Sequence, residues 1–521
     1  MGEHLNRIHA TNFSAKNWRV ILGPWLIAFV PALLDRYKSI QVALKDSASE
    51  KIFIASCHLK LDEAPNEMND FLKELIDPSW NERLYLQIIH EMKASALIFD
   101  LDQSNSTDAV ARKPAVSKHE TNLLKRIFYR GMARNKHAFS TTYISPGVLR
   151  RLQISLKQLP LTLPQIPLPV FETDFTARQS KLWEIKFDRT TVPKKYTKFI
   201  SLLERMIPMY IPKSYLEGFK FIQQLPSNHN WPTSVKTIVT ATAIYNDEVF
   251  KIWAASESEK GAKLILAQHG GNYGTSLFHS REEHELSISD KYLTWGWRKE
   301  GFRNIEPIGN FRNNNKTFKQ NISGKALIGL TQGNDYASFL QSTPVSAGQW
   351  DIYQENQLDF IQKFSPDFSS NLRVRLYPSR PNSQLRSIWQ KRFPEVTLDK
   401  AGITFEESLR AARIYIGTDN NTTWLNTLNS NFPTIVVMNP LFWEVRPEAE
   451  PFFFTLEQVG IFHRSTTSAA AHLESIWGHL EEWWMSELVQ NSRLKFTNQF
   501  SCHNSSFYKS IRNAILELDK E

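Results

Sequence analysis

Cysteine is almost missing from this chain. Two occur in 521 residues, Cys57 and Cys502, which excludes a disulfide framework and fits a reducing compartment. Long apolar runs are scarce as well. The best, residues 20–34, spans 15 positions, holds Pro24 and Pro31 and lies between Arg19 and Asp35. A membrane span needs roughly 20 apolar residues, so we read this run as buried core, with an interfacial contact as the lesser alternative. The first 17 residues are polar and lack the apolar stretch of a secretory signal. The expected location is therefore cytoplasmic, with peripheral contact at the inner membrane as a variant.

Several fingerprints are also missing. Neither Gly-x-Gly-x-x-Gly nor a P-loop occurs, which weighs against NAD or ATP as a central cofactor. His279, His284 and the acids near them have no metal-ligand spacing. No Gly-x-Ser-x-Gly is present, which argues against a serine hydrolase. No metal and no cofactor are expected.

What is present is globular: 41% hydrophobic and 22% charged residues, with two or three domains as the prior for this length. The 33 phenylalanines and 15 tryptophans suffice for large cores and for a sugar-stacking surface. The net charge of +9 is uneven. Residues 112–157 carry 11 Lys or Arg and one acid, Glu120, centred on Lys125, Arg126, Arg130, Arg134 and Lys136. Such a run suits an anionic membrane or a phosphorylated acceptor. Nucleic acid ranks last, because no zinc-finger spacing or RNA-binding signature accompanies it.

The chain is organised around residues 263–274, where the apolar Leu264, Ile265 and Leu266 run into Gln268, His269, Gly270, Gly271, Asn272, Tyr273 and Gly274. A buried parallel strand that ends in a ligand crevice reads this way. Glycine lets backbone approach a ligand, and histidine handles protons near neutral pH. Around this stretch strand and helix patterns alternate. Residues 236–242 read as a strand, Asn246 as the cap of a helix over 247–260, and 263–268 as the next strand. Residues 309–323 are polar, and the domain boundary is placed there, giving 1–310 and 311–521. The second half alternates again, with strands at 325–331, 372–377, 414–417 and 434–438. Thr404 and Glu407 form a capping box. Thr422 or Thr423 caps a helix to Leu428, and residues 469–518 read as helical. Residues 20–37 read as a helix interrupted by its prolines. Repeated βα units predict an α/β fold with parallel sheets: two Rossmann-like domains facing a cleft, with C-terminal helices.

Ligands bind at the carboxyl ends of parallel strands, which selects the candidate residues. Asn420, Asn421, Thr422 and Thr423 open a helix whose N-terminus suits phosphate. Arg375 and Arg380 flank the end of another strand and suit phosphate or carboxylate. Gly270, Gly271, Tyr273 and Gly274 should line the substrate cleft. His269 is the first candidate for proton transfer. Among the acids, Asp247 and Glu248 follow the neighbouring strand, and helix starts favour acids in any case.

Several segments carry a family resemblance. They are Leu22-Gly23-Pro24-Trp25-Leu26, Asp35-Arg36-Tyr37, the run from Gln268 to Gly274, His284-Glu285, Ser289-Asp290, Trp295-Gly296-Trp297, Asn421-Thr422-Thr423 and Asn431-Phe432-Pro433-Thr434. The chain resembles a family of transferases encoded in bacterial O-antigen and surface-polysaccharide gene clusters. Its second half is similar to carbohydrate enzymes of the GT-B type. The resemblance implies a GT-B-like, nucleotide-sugar-dependent glycosyltransferase acting on a lipopolysaccharide or lipid-linked acceptor, with a CMP-activated ulosonic acid as one candidate donor. It favours Glu285 and Asp290 as catalytic acids. The chain departs from it at Asn426, where related chains often carry Glu; in many GT-B enzymes an acid in that region holds the donor ribose. Two other readings share the architecture: a two-Rossmann sugar-nucleotide epimerase and a non-catalytic polysaccharide assembly or export factor.

Overall fold

The computed structural model describes residues 1–46, 64–92, 134–179, 192–312, 317–333, 335–377 and 385–520, a few isolated positions between them, and the backbone of strands β1 (Phe53–Ser56) and β2 (Leu97–Asp100), which pair in parallel. The first part of the basic run, residues 112–130 with Lys125, Arg126 and Arg130, lies outside the described residues, as do Arg380 and residues 313–316.

Two larger parallel sheets carry the fold among the described residues. The first contains β3 (His137–Ser140), β4 (Thr237–Thr240), β5 (Lys263–Ala267), β6 (Lys291–Thr294) and β7 (Ile305–Pro307), side by side in chain order. The second contains β8 (Lys325–Gly329), β9 (Leu372–Arg375), β10 (Thr397–Leu398), β11 (Ala412–Gly417), β12 (Thr434–Val437) and β13 (Phe462–His463), in the order β10-β9-β8-β11-β12-β13. The expected α/β architecture with two parallel sheets is the one found. Thr-Ile-Val-Thr in β4 and Thr-Ile-Val-Val in β12 are buried throughout, because helices cover both faces of a parallel sheet. In the second sheet the strand order reverses between β8 and β11. That opens a crevice at their carboxyl ends, where ligands bind in such sheets.

Local expectations were met in part. The Thr404–Glu407 capping box forms and starts the helix Phe405–Arg410. The helix before β5 is Glu248–Glu259, capped by Asp247, whose carboxylate accepts from Phe250 N, and not by Asn246. Asn421 occupies the cap position of the helix Thr422–Asn429 without a side-chain cap bond, so neither Thr422 nor Thr423 is the cap. The interrupted helix is in fact one continuous helix, Ala15–Asp46, with Pro24 and Pro31 inside it. Trp25, Phe29 and Leu33 on it are fully buried. By length and composition this helix could cross a membrane, yet 67% of its most apolar window is buried within the protein. Packing on the helices Glu248–Glu259 and Ser280–Ile288 outweighs the local cost of the prolines.

The C-terminal helices tie the sheets together. The helix Glu487–Phe500 packs on helices of the second sheet. The chain then returns to the first: Cys502 N donates to Trp295 O at 2.7 Å, Asn310 N donates to Cys502 O at 2.7 Å, and Glu517 on the last helix pairs with Lys291 at 2.7 Å.

Candidate active site

The turn after β5 is pinned from inside. Gln268 is fully buried. Its Nε2 donates to Gly270 O at 2.8 Å, and its Oε1 accepts from Trp295 N at 2.9 Å and Trp297 Nε1 at 2.8 Å. Of the glycines that follow, Gly271 serves the contact between the halves. A Cβ on Gly271 would lie 2.7 Å from Asn421 O and from Thr422 Cα, and Gly271 N donates to Thr422 Oγ1 at 3.1 Å. Gly274 has φ +77°, and a Cβ there would lie 2.4 Å from the Trp297 ring. The close approach expected of a ligand is made at Gly271 by the other half of the chain.

Behind this turn lies a buried proton-bearing cluster. Glu285 is fully buried and its carboxyl group accepts from three tyrosines: Tyr273 at 2.8 Å, Tyr292 at 2.7 Å, and Tyr245. Burial raises its pKa to about 7, against the pull of the three hydroxyls and Arg281. His269 Nε2 lies 3.2 Å from the Tyr273 hydroxyl, and His269 Nδ1 lies 3.8 Å from Glu285 Oε1. A Tyr273 hydroxyl that donates to Glu285 can only accept from His269, which places the imidazole hydrogen on Nε2. Burial lowers the His269 pKa to about 3, helped by the charges of Arg281 and Arg312. The imidazole is therefore neutral across the physiological range. His269, Tyr273 and Glu285 form one hydrogen-bonded chain.

The cleft lies beside this cluster. One chamber of about 450 Å³ is lined by Arg281, Thr331, Gly333, Trp350 and Trp443 among others. A second of about 360 Å³ is lined by Arg375, Phe405, Asp419, Thr422 and Thr423. Tyr377 and Asn421 line both. The chambers thus sit at the β8–β11 crevice and the start of the helix Thr422–Asn429. Asp419 is half-buried there, desolvation raises its pKa, and it accepts from Asn421 N at 3.0 Å. Arg375 lines the second chamber while its Nη1 donates to Ser408 Oγ at 2.8 Å and lies 3.4 Å from Asp399 Oδ2. Asn420 is turned to the other half, donating to Thr275 Oγ1 at 3.1 Å.

Three expected acids have structural duties. Glu248 is fully buried in an ion pair with Lys251 at 2.7 Å and also accepts from Met68 N at 2.9 Å. Asp247 caps its helix, and burial raises its pKa to about 6. Asp290 pairs with Lys16 at 2.7 Å and accepts from Leu264 N at 2.7 Å. None of the three joins the chain around His269, whereas Glu285 does. Arg281 and Tyr292 went unnoticed in the sequence, whereas Tyr245 opens a strand-end loop that the alternation of strands and helices placed at the cleft. One signal was there for Arg281: a cation in the first turn of a helix, where the dipole favours acids. Among the described residues, no group of three or more His, Cys, Asp or Glu could hold a metal ion.

The model of the family described as "LIC12162 family transferase" matches residues 1–515. The chain belongs to the LIC12162 family of transferases. No curated protein matches the sequence of this LIC12162-family chain. Among solved structures it is similar to S. aureus MnaA with UDP, at 13% identity and TM-score 0.39, over 74% of this chain and 97% of that one. It is also similar to Anabaena Alr3699/HepE with UDP-glucose, at 10% identity and TM-score 0.35, over 62% and 89%. A third is a UDP-glucosyltransferase from Polygonum tinctorium, at 11% identity and TM-score 0.35, over 75% and 100%.

Proposed function

We propose that this transferase is a glycosyltransferase that moves a sugar from a nucleotide-activated donor to an acceptor hydroxyl. One observation carries the reading. A hydrogen-bonded chain of His269, Tyr273 and Glu285 beside the first sheet is joined to a helix start at the crevice of the second sheet through Gly271 and Thr422. A group that handles a proton and a site suited to phosphate thereby share one cleft. The donor's nucleotide sits against Asn421, Thr422 and Thr423, with Arg375 at the chamber wall. The acceptor comes from the side of His269. Its oxygen bonds to the anomeric carbon, and the carbon–oxygen bond to the nucleotide phosphate breaks with its electron pair on the phosphate. The acceptor proton is taken up by the cluster of His269, Tyr273 and Glu285, in which Glu285, with its pKa near neutrality, is the group suited to hold it.

The resemblance read from the sequence favours a lipopolysaccharide or other surface-glycan acceptor, and the basic run of 112–157 favours meeting it at an anionic membrane. The test begins with calorimetry of the full chain against UDP, CDP, GDP, ADP and CMP, then follows turnover of the matching nucleotide sugars. One of the nucleotides should bind, and His269→Ala should lower turnover by about 10²–10⁴-fold with nucleotide affinity retained. Isomerisation of the sugar without transfer would identify an epimerase. Binding of none of the five nucleotides would remove the basis of the proposal.

A further inference from the structure

Seven arginines of the described chain pair with acids, several of them buried or half-buried. Arg178 has Glu217, Arg446 has Glu282, Arg373 and Arg375 share Asp399, and Arg464 has Glu450 and Glu457. Arg281 differs. Its guanidinium lies over the rings of Phe339 at 4.2 Å and Tyr245 at 5.1 Å. Its Nε is buried without a hydrogen-bond partner, and it lines the larger chamber with Asn421 and Gly333. Its position also works against a cation. It is the second residue of the helix Ser280–Ile288, at the end whose dipole favours negative charge. The acids of that helix are committed elsewhere: Glu282 to Arg446, Glu283 to Lys299, and Glu285 to three tyrosines. Two aromatic rings therefore hold in the cleft a cation that no described carboxylate reaches within ion-pair distance. Arg312 adds a second guanidinium nearby, with Nη1 donating to His269 O at 2.9 Å.

We infer that Arg281 is the phosphate-binding residue contributed by the first half of the chain, facing the start of the helix Thr422–Asn429 across the cleft. The assignment rests on the reading of the cleft as a nucleotide-sugar site. Backbone N–H groups from one half and a guanidinium fork from the other converge on the same phosphate. The nucleotide then bridges the two halves. The charge that grows on the phosphate as the sugar leaves meets a cation already in place. Lysine retains the charge without the planar fork, so it is a partial substitute.

Calorimetry on the full chain tests this, using whichever of UDP, CDP, GDP, ADP and CMP the wild type binds, together with the matching nucleoside. Arg281→Gln should weaken the nucleotide by about 10- to 100-fold, the range for a lost charge-assisted hydrogen bond, and leave the nucleoside unchanged. Arg281→Lys should recover part of the loss. Thermal melting checks that each variant is folded. If Gln fails to fold, the Lys variant still has to show a loss for the nucleotide and none for the nucleoside. Equal nucleotide affinity in wild type and Arg281→Gln overturns the assignment; a loss in turnover alone would then place the anion on the acceptor or the sugar. An equal loss for nucleoside and nucleotide overturns it too, since Arg281 would be shaping the cleft. A wild type that binds no nucleotide sinks the reading of the cleft itself, a failure distinct from both.

Discussion

Glu285 shows how one buried residue links chemistry to stability. Burial raises its pKa from 4.5 to about 7, so the folded chain holds this proton more tightly than the unfolded one. The resulting stabilisation is complete below pH 4.5 and is lost as pH rises through about 7. His269 acts in the opposite sense. Its pKa falls from 6.5 to about 3, so the unfolded chain binds more protons between those values and stability rises with pH there. Comparison with Glu285→Gln isolates the carboxyl group. The melting temperature of the wild type minus that of the variant should fall from pH 4.5 to pH 7 and level off above, a change equivalent to about 3 kcal/mol. A flat difference across that window would mean that Glu285 titrates as an ordinary surface acid.

At the scale of elements, the helix Ala15–Asp46 sets the position of the site from behind. Gly23 lets it approach the helix Ser280–Ile288, which carries Arg281 and Glu285. A Cβ at Gly23 would lie 2.0 Å from His284 Cε1, and the His284 ring is itself buried. Gly23→Ala gains about 1 kcal/mol of helix propensity but overpacks the interface, which costs about 1–3 kcal/mol. Net destabilisation is expected in chemical denaturation. The control is His284→Ala, which should relieve it: the double mutant should be more stable than the sum of the single changes. Additive changes would show that the two helices part without strain.

For the whole molecule, the two sheets are joined through more than the chain between them. Arg446 reaches the fully buried Glu282 at 2.6 Å, Ser276 bridges Val445, and Asn420 bonds Thr275. These contacts surround the turn at Gly271, so the cleft is built jointly by both halves. A second whole-molecule property is the basic run of 112–157. Attraction to an anionic lipid surface is worth about 1 kcal/mol per basic residue. Neutralising Lys125, Arg126, Arg130 and Arg134 together should weaken co-sedimentation with anionic vesicles at low salt and leave neutral vesicles unaffected. Unchanged co-sedimentation would give the run another use.

The sequence by itself determined most of the parallel strands, though not β2, β3 or β13, together with the capping box at Thr404 and the glycine turn after β5, because hydrophobic period and turn chemistry are local. It also marked the loop of residues 420–423 and the His269 turn as places of interest. Only the tertiary structure decided which acid belongs to His269. Asp247, Glu248, Glu285 and Asp290 look alike as letters; what separates them is the partner each meets across the fold: Lys251 for Glu248, Lys16 for Asp290, and three tyrosines from separate elements for Glu285. The continuity of the helix through Pro24 and Pro31 was likewise decided by packing, which local propensity does not register. Arg281 stands between the two cases. Its misfit with the helix dipole is written in the chain, while its lack of a carboxylate partner among the described residues exists only once the acids around it have been assigned by the fold.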